Sequence, residues 1–207
     1  MQRSSQLSYE SRLNYYINQR KFKEMGIVRK IFKLIYELVE AFVVAASIFV
    51  VVYLFLMQPH QVKGSSMYPT LADQEYLLTD KVTFRRRDPQ AGDIVVFKAP
   101  QNETFDFIKR VIAVPGDTVV VQNNKVYVNG EELNEDYLPE NVVTSAGKFL
   151  TEGLSVLVPE GSMIAFGDNR EHSSDSRDWG LVPYDNIIGK AFFRYWPADK
   201  VGSVISK

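Results

Sequence analysis

The stretch GSSMYPTL, Gly64 to Leu71, sets two serines side by side ahead of a methionine and a proline. A serine hydroxyl becomes a useful nucleophile only when a base takes its proton, so the partner base decides what chemistry this stretch can do. Two histidines are available. His60 lies beside Pro59, and His172 lies in GDNREHSSDSR (167–177), close in sequence to Asp168 and Asp175. A Ser–His–Asp arrangement is formally possible, although a histidine in a polar loop is commonly just solvated.

Lysine is the other candidate base. An ordinary lysine titrates near about 10.4 and is charged at neutral pH, so it cannot accept a proton. Burial in apolar surroundings lowers that value by up to roughly 3–5 units. The useful lysine is therefore one on the apolar face of a strand, and FDFIKRVIAV (105–114) offers it. Alternate strand residues share a face, so Phe105, Phe107, Lys109, Val111 and Ala113 line one side, with Lys109 the single polar member. The competing reading is an edge lysine whose stem is covered and whose head sits in water. Lys125 falls at a hairpin turn and Lys98 precedes a proline-containing loop. Ser145-Ala-Gly-Lys148 matches an S-x-x-K pattern, but that pattern works on a helix, and this copy has a central glycine in a loop-like stretch with no K-T-G after it.

The elements that must position these groups read as short strands. EYLLT (75–79), DIVVF (93–97), FDFIKRVIAV (105–114), TVVVQ (118–122), KVYV (125–128), LSVLV (154–158), SMIAF (162–166) and GKAFFRYW (189–196) are rich in branched and aromatic residues. Asn123-Asn124, Asn129-Gly130 and Pro115-Gly116-Asp117 are turn signals between them. The polar stretch 131–153 reads as an excursion within the domain.

Ahead of the strands, Ala41 to Met57 carries no charge, and Leu38 and Val39 extend it past Glu40. A spanning helix needs about 20 mostly apolar residues, so one transmembrane helix is expected over 38–57, ended by Pro59. Arg12, Arg20, Lys21, Lys23, Arg29, Lys30 and Lys33 precede it, and only Lys63 follows closely. The positive-inside rule then puts residues 1–37 in the cytoplasm and 58–207 outside the cell membrane. Met1–Arg20 is polar and expected to be poorly ordered. The composition, with 45% hydrophobic and 24% charged residues, suits a packed domain. A formal charge of −1 gives no reason to expect nucleic acid, and the absence of cysteine excludes disulfides, thiol catalysis and thiolate metal sites.

GSSMYPTL, GDIVVFKAP (92–100), IKRVIAVPGD (108–117) and GDNREHSSDSR, in this order behind a membrane segment, resemble the boxes of type I signal peptidases. The resemblance runs from about residue 38 to the carboxyl terminus. It implies a membrane-bound serine endopeptidase that removes signal peptides from exported preproteins through a serine–lysine dyad, without metal or cofactor. By position it implies Ser66, not Ser65, as nucleophile and Lys109 as base. It further implies Ser173 as the hydroxyl that orients the amine, and Arg110, Asp168, Asp175 and Arg177 as a supporting ion-pair network. The oxyanion would be held by the Ser66 backbone N–H. Many Gram-negative members have a serine two places before the nucleophile, whereas this chain has Gly64, as Gram-positive members do. The implied fold is mainly β: a strongly coiled antiparallel catalytic sheet with a small β subdomain inserted over roughly 118–160. The expected partners are preproteins and the lipid bilayer, with the enzyme monomeric. A self-cleaving repressor would share the dyad but carry a DNA-binding helix-turn-helix where this chain has its apolar run. A membrane-anchored surface protein that only binds a partner is the non-enzymatic alternative.

Overall fold

The computed structural model describes residues 3–140 and 142–204, which fall into two compact units, Met1–Val51 and Val52–Lys207. The first unit is helical. Helix α1 runs Arg3–Phe55 with no proline to interrupt it, and its stretch Met25–Phe55 is long and apolar enough to cross a membrane. Phe42, Val44 and Ile48 stand exposed along it, an apolar surface. The helix begins at Arg3, where the sequence suggests a poorly ordered segment; Met1 and Gln2 lie outside the described residues. Nothing from Arg3 to Met25 breaks a helix, so once the apolar segment is helical, propagation toward the amino terminus adds one hydrogen bond per residue.

The second unit is β. Its strands are β1 (Met57–Gln61), β2 (Tyr76–Asp80), β3 (Ile94–Ala99), β4 (Asn102–Ala113), β5 (Thr118–Gln122), β6 (Lys125–Val128), β7 (Glu131–Glu132), β8 (Val156–Leu157), β9 (Ser162–Phe166), β10 (Val182–Pro183), β11 (Ile187–Trp196) and β12 (Gly202–Ser203). The larger sheet has the order β1-β2-β11-β3-β4-β9-β10, with β12 on β11, and its paired strands are antiparallel. Bulges interrupt the register between Ala191 and Phe193, between Arg194 and Trp196, and between Val111 and Ala113. Each adds local twist, which is how a sheet of this width coils. A second sheet, β7-β6-β5-β8, is built from the chain between β4 and β9.

The core explains why β3 reads as the unbroken run IVVF. It is buried on both faces. Ile94 and Val96 pack with Val62, Met67, Leu71 and Leu77, while Val95 and Phe97 pack with Val111, Met163, Ala165 and Val182. Phe97 also meets the rings of Phe107 at 6.3 Å and Trp179 at 6.1 Å. Pro59 is tolerated inside β1 because that strand forms the sheet's edge and needs no second ladder. Truncating the fully buried Phe97 to alanine is expected to cost about 3–5 kcal/mol, measured as a lower unfolding midpoint of the detergent-solubilised chain. A loss below about 1 kcal/mol would mean that β3 is not the centre of the core.

Candidate active site

Ser66 opens the turn between β1 and β2, and its neighbours fix it from both sides. Met67 is 1% exposed and anchors the turn in the apolar cluster with Val62, Leu71 and Ile94. Gly64 has φ +84, a conformation that serine adopts only under strain, so the backbone itself accounts for glycine there. The Gly64 N–H donates to Asp73 Oδ1 at 2.7 Å. From across the fold, the Asn169 N–H donates to the Ser66 carbonyl at 3.0 Å, and Asn169 Nδ2 donates to the Ser65 carbonyl at 3.1 Å. Ser65 is exposed to solvent, whereas Ser66 is half-buried and lines a cavity of about 520 Å³. One wall of that cavity is Pro59–Lys63, and the other is Thr104–Lys109 of β4.

Lys109 is on the second wall and only 4% exposed. Its Nζ lies 5.5 Å from the centre of the Phe107 ring. Phe107 and Val111 belong to the apolar cluster around Phe97, but Phe105 is 60% exposed. The apolar surroundings therefore come from the inner half of β4 and from neighbouring strands rather than from the whole alternating face. Burial pulls the amine down to about 8; Asp175 pushes it back up, Arg177 pulls it down and Asp168 pushes it up. The Ser66 hydroxyl and the Lys109 amine face one cavity without a hydrogen bond between them. Such contacts are commonly loose until substrate is seated.

The residue after Lys109 points the opposite way in the pleat. Arg110 is fully buried and grips Asp168 through two parallel bonds, Nε to Oδ1 at 2.9 Å and Nη2 to Oδ2 at 2.7 Å. Asp175 forms the second pair, accepting from Arg177 Nε at 2.8 Å and Nη2 at 2.9 Å. It also caps the short helix α2 (Ser176–Trp179) and accepts the Gly167 N–H at 3.0 Å. These four charged residues thus bracket 167–177 on both sides. Ser173 is placed close by, its Oγ buried and without a hydrogen-bond partner. Buried hydroxyls nearly always find one, so this one is an exception within the site. Ser174, the next residue, lines the cavity itself.

Gly167 carries no reactive group, and its role is steric. A Cβ there would sit 2.2 Å from Ser173 Oγ and 2.3 Å from the Ser66 carbonyl oxygen. The chain after β9 and the serine turn can approach each other only because this side chain is missing. Asn169 and Arg170 are neither nucleophile nor base: Asn169 holds the backbone of Ser65 and Ser66, and Arg170 the Gly167 carbonyl together with side-chain partners, and the signal in the sequence is only their membership of the GDNR run.

The histidines do not build a triad. His172 is exposed, and both aspartates near it in sequence are taken by arginines. His60 does line the cavity, but its Nδ1 lies 2.8 Å from Thr79 Oγ1 and its Nε2 3.7 Å from Asp106 Oδ2, and burial holds its pKa below the usual value. Ser145 and Lys148 lie in a loop, where the Ser145 carbonyl accepts from Arg177 Nη1 at 3.3 Å. A cavity of about 560 Å³ beside β6 and the excursion holds neither Ser66 nor Lys109. Among the described residues no group of His, Asp and Glu could hold a metal ion.

Comparison with known proteins shows the family. Residues 35–196 match the family model described as signal peptidase, peptidase S26. A signal peptidase IB of Staphylococcus aureus is 38% identical over 175 residues, covering 78% of this chain and 91% of the relative. A probable signal peptidase I-1 of Synechocystis is 41% identical over 157 residues, covering 72% of this chain and 76% of the relative. A crystal structure of a signal peptidase I from Enterococcus faecalis is 32% identical with a TM-score of 0.43, over 50% of this chain and 97% of the other. The chain belongs to the signal peptidases of family S26.

Proposed function

We propose that this chain removes the signal peptides of exported preproteins with Ser66 as nucleophile and Lys109 as general base. The observation that carries this reading is a lysine, Lys109, only 4% exposed on the wall of the very cavity that Ser66 lines. Neutral Lys109 takes the Ser66 hydroxyl proton as Oγ bonds to the scissile carbonyl carbon. The amine then passes that proton to the leaving nitrogen as the carbon–nitrogen bond breaks, which leaves an acyl-enzyme. Water, deprotonated by the same amine, attacks the ester, and the proton returns to Ser66 Oγ. Ser173 Oγ orients the amine between steps, and the Ser66 N–H faces the developing oxyanion.

The strands supply a means of holding substrate. β1 is paired only with β2, and β4 is paired with β9 only from Arg110 onward. Residues 59–61 and 104–109 therefore present backbone edges without a second strand to one cavity. An extended peptide lies between them as an added strand, hydrogen-bonded through its backbone and carried past Ser66. Val62, Met67 and Ile108 give the cavity apolar, shallow walls suited to small side chains. The basic residues before α1's apolar stretch put the amino terminus in the cytoplasm, the 38–57 segment in the bilayer and residues 58–207 outside. The cavity wall Pro59–Lys63 follows the helix end at Phe55 within a few residues, so substrate is met near the membrane.

Cleavage of a preprotein by the solubilised enzyme tests the assignment. Ser66→Ala and Lys109→Met abolish it, whereas Ser65→Ala and His172→Ala stay within about twofold of wild type. Equal loss in both serine variants, or an active Lys109→Met enzyme, would remove the dyad.

The same amine makes a stability prediction. Its pKa is lowered from 10.5 to about 8, so below 8 the folded protein buries a charge that the unfolded chain keeps in water. At about 1.4 kcal/mol per unit this costs roughly 3 kcal/mol. The cost is constant below 8, shrinks as pH rises from 8 to 10.5, and is absent above. Lys109→Met is expected to unfold at a higher temperature than wild type at neutral pH, with the difference fading through that window. A variant less stable than wild type at neutral pH would contradict the desolvation argument.

A further inference from the structure

The polar excursion after β7 reaches the GDNR run, and none of its residues lines the Ser66 cavity. Arg170 is the point of contact: its side chain is fully buried, and Glu135 beside it is 17% exposed. Arg170 Nη1 donates to Glu135 Oε2 at 2.9 Å and to Thr144 Oγ1 at 2.7 Å. Its Nη2 donates to Glu135 Oε1 and, at 3.3 Å, to the Tyr137 hydroxyl, and that hydroxyl donates to Glu135 Oε1 at 2.6 Å. The Tyr137 ring lies 3.8 Å from the guanidinium carbon of Arg110, the residue that holds Asp168. Glu135 and Tyr137 thus hold Arg170, the last residue of the run, by a bidentate ion pair and Arg110, which grips Asp168 within it, by stacking.

What Arg170 does with its remaining donor connects the excursion to the chemistry. Its Nε donates to the Gly167 carbonyl at 3.1 Å. Gly167 is the residue with no room for a Cβ between the Ser66 carbonyl and Ser173 Oγ. The Arg170 carbonyl in turn accepts from Arg177 Nη2 at 2.7 Å, so the clamp also reaches the Asp175 pair. A shift of Gly167 by a fraction of an ångström therefore moves the nucleophile's turn and the Ser173 hydroxyl together.

We propose that Glu135 and Tyr137 are positioning residues that, through Arg170, press Gly167 against Ser66 and Ser173 and so set the distance between hydroxyl and amine. A carboxylate is required at 135 because only two acceptor oxygens match the guanidinium fork, and an amide would turn a donor toward it. Loosening the clamp admits water to Lys109, whose charged neighbours are Asp175, Arg177 and Asp168.

This inference rests on the Ser66–Lys109 reading, and the test separates the two. Glu135→Gln, Tyr137→Phe and Lys109→Met are assayed as full-length, detergent-solubilised enzymes on a signal-peptide substrate as pH is varied around 8. Glu135→Gln is expected to lower kcat about tenfold or more with KM within about twofold, and to move the acid limb of kcat/KM upward, toward an ordinary lysine. Tyr137→Phe does the same to a smaller degree, and it decides the matter if Glu135→Gln does not fold. An active Lys109→Met enzyme overturns the dyad and the clamp with it. With Lys109→Met inactive, a folded Glu135 or Tyr137 variant whose kcat falls without movement of the acid limb, or that matches wild type in both, overturns the clamp alone.

Discussion

Lys109 stands on a cavity wall with an aromatic ring beside its amine and almost no contact with solvent. Taking that amine out of water makes it a weaker base but an available one, because at neutral pH a useful fraction carries no proton. Too little burial leaves it charged, and too much leaves it without the driving force to take a proton from serine. The neighbouring charges hold the balance: Asp175 and Asp168 favour the ammonium form, and Arg177 opposes them.

Those carboxylates are not free to pair with the lysine, because each is already bound by an arginine. Buried ion pairs of this kind add little net stability, since desolvation offsets most of the Coulomb attraction, but breaking one strands a buried charge. Their value here is geometric. Arg110–Asp168 ties β4 to the chain after β9, and Asp175–Arg177 ties the Gly167 N–H to the cap of α2. The serine turn, the lysine strand and the 167–177 run come from distant parts of the chain and are joined by these pairs and by Asn169. Phe166 lies beneath two of the guanidinium groups, those of Arg170 and Arg177, each 5.4 Å from the ring centre.

Much of this is legible in the sequence, for identifiable reasons. The long strands β2, β3, β4, β5, β6, β9 and β11 announce themselves through branched and aromatic runs between turns. The two-residue strands β7, β10 and β12 have no pattern to read, and β1 is hidden by Pro59, which ordinarily argues against a strand. Alternation marks Lys109 as a polar residue on an apolar face, yet it also puts Phe105 there, which the end of the sheet leaves exposed. Ser65 and Ser66 are equivalent as side chains; only the fold turns one outward and the other into the cavity. Gly167 and Glu135 matter through a missing atom and a partner 35 residues away, and neither leaves a local trace.

The central claim is a protonation state, and it can be read directly on the amine. A chain carrying isotope-labelled lysine side chains, titrated by NMR with Lys109→Met to assign the signal, reports the Lys109 pKa without reference to turnover. The account predicts a Lys109 signal titrating at about 8. A Lys109 signal that titrates with the bulk near about 10.4 would contradict it, because an amine charged at neutral pH cannot take the proton from Ser66.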